Sequence, residues 1–289
     1  MRLLVTGAGG MLGADIVRAG ERVGYELVPV THAELDISDA DAVDEAIRGL
    51  DVEAVVNCAA WTDVDGAEAD PEGARAVNAL GASHLARAAA GMGIQLVHVS
   101  TDYVFSGEPQ LDGDGRKRPY VESDPTAPRS VYGRTKLEGE RLVLDASPLH
   151  TVARSSWLFG VGGRNFVDTM LKLAGEREAV QVVDDQVGCP TWTGHLAPGL
   201  LGLIERDVRG LVHLAGGGHV SWNGFAKEIF RQAEVDCRVD IATTAETARP
   251  APRPAWSAIE SERPDVIPMP DWRDGLAGYL AARDGMMFA

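Results

Sequence analysis

Three glycines at a spacing of three, in Val5-Thr6-Gly7-Ala8-Gly9-Gly10-Met11-Leu12-Gly13, constrain this chain more tightly than any other stretch. They close the apolar run Arg2-Leu3-Leu4-Val5-Thr6 and open a segment that reads as a helix. A strand, a tight turn and a helix in that order begin an open parallel sheet. Each glycine has its own part in such a turn. Gly7 permits the tight bend, Gly10 lets a pyrophosphate approach the backbone, and Gly13 lets the helix pack close on the strand. The unpaired N–H groups and positive dipole end of the helix then face the phosphates. The pattern is weak in isolation and strong in this strand–turn–helix setting.

The alternation continues beyond the turn. Residues 26–30, 53–57 and 94–100 are short runs suited to buried strands, and 11–24, 39–50 and 71–93 read as the helices between them. This rhythm predicts an α/β fold, a Rossmann-type doubly wound parallel sheet, over residues 1–150. After residue 150 the rhythm loosens: 150–160, 179–185 and 210–216 are strand-like, while 165–175, 221–234 and 271–284 look helical. A smaller C-terminal α/β substrate-binding region is expected over 151–289, with 195–215 returning to the first sheet. The polar, glycine- and proline-rich stretch 107–129 is expected to form a flap over a pocket.

Composition narrows the partners. A net charge of −16 argues against nucleic acid or an anionic membrane surface, while leaving room for a small anion held by backbone amides and a few arginines. No stretch approaches the roughly 18 apolar residues of a membrane span, and the short apolar run at the N-terminus does not suit a signal peptide. Cys58, Cys189 and Cys237 are odd in number and widely spaced, as expected of reduced thiols in a cytoplasmic protein. The seven histidines show no zinc spacing, so no metal is expected.

Two clusters carry the chemistry. The fourth strand runs into Ser100-Thr101-Asp102-Tyr103, and ligands of an open parallel sheet sit beyond the carboxyl ends of its strands. Tyr132 and Lys136, one helical turn apart, read either as a surface pair or as a proton-transfer couple. A phenol with a pKa near 10 is a poor acid–base catalyst at pH 7, and an adjacent ammonium favours its ionised form. The same ammonium can bond the ribose hydroxyls of a nicotinamide nucleotide. The glycine turn favours the second reading. No arginine closely follows the second strand, so NADH is accommodated as well as NADPH. Asp36 reads equally as a ribose- or adenine-contacting acid and as the cap of a helix beginning near Ser38.

In this order the pieces resemble the extended short-chain dehydrogenase/reductase superfamily, through Thr6-Gly7-x-x-Gly10-x-x-Gly13, Tyr132-x-x-x-Lys136 and the upstream Thr101. A closer resemblance is to the dTDP-4-dehydrorhamnose reductase family. It spans nearly the whole chain, through residues 35–39, 55–68, 97–107, 119–140, 154–160, 184–192 and 253–259. The resemblance implies that Gly7, Gly10, Met11, Leu12 and Gly13 hold the pyrophosphate of NADH or NADPH. Asp36 and Ile37 would lie along the adenosine, and Cys58, Ala59 and Ala60 near the cofactor ribose and nicotinamide. Thr101, Tyr132 and Lys136 would be the catalytic triad. Thr62, Val64, Asp102, Tyr103, Trp157, Asn165, Gln186 and Arg253 would approach the dTDP-sugar. Trp157 also reads as a core aromatic, and Arg253 as a surface arginine rather than a bidentate phosphate ligand. Some members of the family dimerise around magnesium, but the acid expected after Thr191 is not evident, so a monomer or an unbridged homodimer is expected. The activity implied is NAD(P)H-dependent reduction of the C4 ketone of dTDP-4-dehydro-β-L-rhamnose. Alternatives are reduction of another dTDP-4-keto-6-deoxy sugar, including dTDP-dihydrostreptose synthesis, a redox-sensing binding protein, or a non-catalytic subunit resembling the regulatory partner of methionine adenosyltransferase.

Overall fold

Leu3 and Val5 alternate with Leu4 along the first strand, and all three are fully buried, so the strand is apolar on both faces. That is the signature of a parallel strand covered by helices on either side. The computed structural model describes residues 1–247 and 249–287. Its main sheet contains β1 (Arg2–Thr6), β2 (Glu26–Val30), β3 (Ala54–Asn57), β4 (Gln95–Thr101) and β5 (Thr151–Ser155). Beyond these come β6 (Ala179–Val183), β7 (Gly210–His213) and β8 (Arg238–Ala242). The six-stranded sheet has the order β7-β5-β4-β3-β1-β2, with every pair parallel. The chain steps from β1 outward to β2 and then crosses to β3 on the other side. The crevice at the carboxyl ends of β1 and β3 is therefore the switch point where such sheets take ligands. Pro29 is tolerated because β2 is the edge strand.

Strand alternation feeds one core on each face. Leu3 and Val5 pack with Leu12 and Ile16 of α1 (Met11–Arg22) and with Leu196 and Leu200 of a later helix (Thr193–Glu205). Leu4 and Val55 pack on the opposite face with α2 (Ala40–Gly49), with Leu85 of α3 (Ala82–Met92) and with Val143 of α4 (Val131–Ala146). A second, smaller layer follows. There β6 pairs in parallel with β8 and is packed by α5 (Phe166–Glu176), α7 (Trp222–Gln232) and α8 (Trp272–Met287), α6 being the helix Thr193–Glu205 already described. The chain thus has the expected Rossmann-type sheet and a smaller C-terminal α/β layer.

Several details depart from expectation. The strand at 151–155 lies beyond the expected break after residue 150, yet it sits inside the main sheet between β4 and β7. The helix expected from 71 to 93 contains a π-helical segment, Ala76–Gly81, flanked by α-helical Pro71–Arg75 and α3. The stretch 107–129 is no flap. It forms a short hairpin, Gln110–Leu111 with Lys117–Arg118, pinned by buried Tyr120, whose ring stacks on Phe105 at 4.1 Å. Arg118 grips Asp124 through both guanidinium nitrogens, and Tyr120 bridges to Ile259. An aromatic anchor and a bidentate ion pair hold the later part of this loop, while residues 111–117 stay exposed.

Candidate active site

The glycine turn forms as the spacing requires. Gly7 has φ +69°, and a Cβ there would stand 2.6 Å from Ala59 N and 2.7 Å from Cys58 C. A Cβ at Gly13 would collide with the Gly7 carbonyl, whereas at Gly10 it would meet only Gly7 O, at 3.4 Å. Two of the glycines are thus demanded by the fold, and the third leaves open space above the turn. Helix α1 begins at Met11 with Gly10 as its N-cap and no side-chain cap, so its first N–H groups remain available to an anion. This cradle fits a dinucleotide pyrophosphate. Cys58, Ala59 and Ala60 follow β3 directly across the crevice, where Cys58 N donates to Thr6 O at 3.1 Å.

At the far end of the same edge, Thr101 ends β4 and Tyr132 lies in the first turn of α4, with Ser130 capping that helix through Gly133 N. Burial pushes the Tyr132 phenol up to about 12, a hydrogen bond with Thr101 works against the rise, and Asp102 adds to it. Tyr103 meets Tyr132 edge-on, with ring centroids 5.5 Å apart. Asp102 is almost wholly buried and accepts from Thr101 Oγ1 and from Ser156 Oγ, each at 3.1 Å. Burial raises its carboxyl to about 6 against these hydrogen bonds. Lys136 is 2% exposed. Its Nζ donates to Val99 O at 2.8 Å and lies 3.3 Å from His98 Nε2. Burial lowers the Lys136 ammonium to about 8, with Glu140 and Cys58 opposing. The ammonium expected beside the phenol is therefore turned toward the sheet, and the Tyr132 pKa is set by burial instead.

Beside this edge lies a cavity of about 520 Å³ between the sheet and the C-terminal layer. Tyr103, Gln186, Trp222, Arg249 and Arg253 are on its wall. Trp157, with φ +46°, stacks flat on Trp222 at 3.5 Å. Two guanidinium groups and several aromatic rings around the cavity suit a phosphorylated ligand carrying a planar base.

The family model for the RmlD substrate binding domain matches residues 1–284. The chain is 45% identical over 287 residues to the dTDP-4-dehydrorhamnose reductase of Mycobacterium tuberculosis, covering 97% of this chain and 93% of that one. The chain belongs to the RmlD family. Crystal structures of two dTDP-4-dehydrorhamnose reductases superpose with TM-scores of 0.92. The Clostridium acetobutylicum protein is 38% identical, with 98% of this chain and all of that one covered, and the Bacillus anthracis protein, in complex with NADP, is 34% identical, with 97% and 99% covered.

Not every residue that the family resemblance assigned is gathered at the crevice or on the cavity wall. Tyr103, Gln186 and Arg253 line the cavity, and Thr101, Asp102, Tyr132 and Lys136 cluster at the sheet edge. Val64 opens the short helix Val64–Ala69 half-buried, and Thr62 just before it is exposed. Asn165 turns inward: it caps α5 through Asp168 N and donates to Gly160 O and Tyr279 Oη. Arg253 is half-buried rather than a freely exposed surface arginine, but its fork is already held by both oxygens of Asp65. Asp36 spends its carboxylate on Ser38 N and Oγ, and the helix cap is Asp39, three residues on. Ile37 is buried in the core against Gly81. Asp15 is bonded by Arg18 and Thr193. Cys58, Cys189 and Cys237 are free thiols.

Sequence reasoning missed the polar residues beneath the site. Asn57, Asn78, His98, Glu140 and Arg154 are all buried. Asn78, inside the π-helical turn, bonds Trp61 N and O and Thr135 Oγ1. Glu140 receives two hydrogen bonds from Arg154 and one from Ser100. The available signal was helical spacing, since Tyr132, Lys136 and Glu140 recur every fourth residue and so share one face. Arg249 carried no comparable signal.

Proposed function

We propose that the protein reduces the C4 ketone of dTDP-4-dehydro-β-L-rhamnose to dTDP-β-L-rhamnose with NADH or NADPH. The observation that carries this reading is the juxtaposition of Thr101 and Tyr132, with buried Lys136, at the sheet edge beside the nucleotide-sized cavity. Residues 1–150, with 195–215, would hold the dinucleotide on the glycine cradle, and 151–289 mainly the sugar nucleotide. Gly7, Gly10, Met11, Leu12 and Gly13 embrace the pyrophosphate, with Asp36 and Ile37 along the adenosine and Cys58, Ala59 and Ala60 toward the nicotinamide. Thr62, Val64, Tyr103, Trp157, Asn165, Gln186 and Arg253 are assigned to the sugar nucleotide.

The bound nicotinamide supplies the hydride; the remaining chemistry belongs to the chain. A phenol pushed up to about 12 is fully protonated near pH 7, the form a proton donor needs. Tyr132 gives that proton to the carbonyl oxygen as it gains charge, Thr101 bonds the same oxygen, and Asp102 approaches the sugar. Lys136 meets the ribose hydroxyls and, when charged, makes the tyrosinate left behind less costly. The acidic chain with its free thiols suits the cytoplasm, as a monomer or homodimer. Product analysis with dTDP-4-dehydrorhamnose and each reduced cofactor tests the reading, with dTDP-rhamnose and loss of the reduced-nicotinamide absorbance expected. Oxidation only with a different dTDP-keto-sugar would reassign the substrate, and none with any such sugar would leave a binding protein.

A further inference from the structure

Beneath Lys136 runs a buried chain of polar contacts that the reaction as described does not use. Thr6 Oγ1 donates to Asn57 Oδ1 at 2.7 Å, and Ala59 N donates to the same oxygen at 3.0 Å. A backbone N–H can only donate, so Asn57 cannot be turned about without stranding that group. Asn57 Nδ2, also a donor, therefore faces His98 Nδ1 at 2.9 Å, and Nδ1 must accept. Burial holds His98 well below its ordinary pKa, so the ring is neutral. A neutral ring that accepts at Nδ1 carries its proton on Nε2. Nε2 lies 3.3 Å from Lys136 Nζ.

A charged ammonium has three donors and no acceptor, so it would set hydrogen against hydrogen at this contact. A neutral amine has one lone pair to receive the Nε2–H and two hydrogens, one of which goes to Val99 O at 2.8 Å. The other groups around Nζ favour its charge less than burial disfavours it. Cys58 is raised to about 12 by burial and stays a thiol. Glu140, one turn along the same helix, is engaged by Arg154 and Ser100. Tyr132, one turn the other way, is an un-ionised phenol. Among the described residues no carboxylate forms an ion pair with Lys136.

We propose that His98 is a positioning residue: locked by Asn57 in the Nε2–H form, it donates to Lys136 Nζ and so favours the neutral amine over the ammonium in the nucleotide-free protein. Stabilising the ammonium then requires a new acceptor at Nζ. That consequence rests on the reading in which Lys136 meets a nicotinamide ribose; the resting state does not. The experiment therefore uses the full chain without nucleotide. The chain has only four lysines, Lys117, Lys136, Lys172 and Lys227, so ¹³Cε-lysine labelling gives a readable NMR titration, with Lys136 assigned by its absence in Lys136→Met. Lys136 is expected to titrate more than one pH unit below free lysine, near 10.4. In His98→Gln, whose amide can rotate to offer an acceptor, the midpoint should rise by more than one unit, a tenfold change in proton affinity. A wild-type midpoint at the free-lysine value, or one unmoved by His98→Gln, overturns the proposal. Should His98→Gln not fold, ring ¹⁵N shifts of wild-type His98 decide: protonation at Nε2 is expected, and protonation at Nδ1 overturns it.

Discussion

Replacing Asp102 with asparagine should make the protein more stable and less active, and the gain in stability should depend on pH. Asp102 is buried, accepts hydrogen bonds from Thr101 and Ser156, and forms no ion pair among the described residues. Burial lifts its pKa from 3.8 to about 6. Two units at ~1.4 kcal/mol each make the ionised carboxylate about 3 kcal/mol unfavourable to folding. The sign follows from the folded pKa lying above the unfolded one. The folded protein binds the proton more tightly, so the stabilising contribution is full below about 3.8 and is lost as pH rises through about 6. Asp102→Asn keeps an acceptor oxygen and never ionises. At pH 8 it should unfold about 3 kcal/mol harder than wild type, or about 6 °C higher at ~2 °C per kcal/mol for a chain of this length. The gap should close as pH falls toward 4. Thermal melts across pH 4–8.5 measure this directly. A variant no more stable than wild type at pH 8, or a gap of the same size at every pH, refutes the argument. Turnover should fall, because the Asp102 carboxylate determines where the Thr101 hydroxyl points.

Three further outcomes are expected. Tyr132→Phe should bind NADPH within about twofold of wild type by fluorescence titration while losing ~10²-fold or more in kcat, the range for removal of a general acid. Arg154→Met leaves Glu140 buried with Ser100 as its remaining partner and should cost about 3–5 kcal/mol in denaturant unfolding, whereas Arg154→Met with Glu140→Leu should recover most of it. Gly13→Ala places a Cβ against the Gly7 carbonyl and Ala8, and should cost about 1–3 kcal/mol and weaken dinucleotide affinity in calorimetry.

Much of this fold was legible in the sequence because its strands are short and buried on both faces, and its helices are long. The first two strands fall where their apolar runs predict, since nothing in the tertiary structure competes with them. The break after residue 150 was misleading, because β5 is followed by loops and by α5 of the other layer, so its partners β4 and β7 are remote in sequence. Tyr132 and Lys136 were readable because their chemistry demands a fixed spacing on one helix. Asn57 and His98 were not, since a lone polar residue in an apolar strand acquires meaning only from the partner the sheet brings to it, here the adjacent position in the β3–β4 register. Arg253 was read for its charge, but Asp65, remote in sequence, occupies its fork.

Burial moves each shifted titratable group around the Tyr132 hydroxyl in the same chemical direction. Asp102 and Cys58 are raised, Tyr132 is raised, and Lys136 is lowered, so each is pushed toward its neutral form. One charged pair is retained close by, Arg154 with Glu140, where two guanidinium hydrogen bonds and Ser100 satisfy the carboxylate. A dinucleotide and a sugar nucleotide both bring anionic phosphates, and Arg249 stands on the cavity wall apart from the reacting edge, beside Arg253 already paired with Asp65. Charge recognition is thereby separated from proton transfer. In the function proposed above, Arg249 and the open helix terminus would meet the anions, while the desolvated phenol stays protonated for the oxygen that gains charge. Substitutions on the cavity wall should therefore act mainly through KM, and those beneath Tyr132 mainly through kcat and its pH dependence.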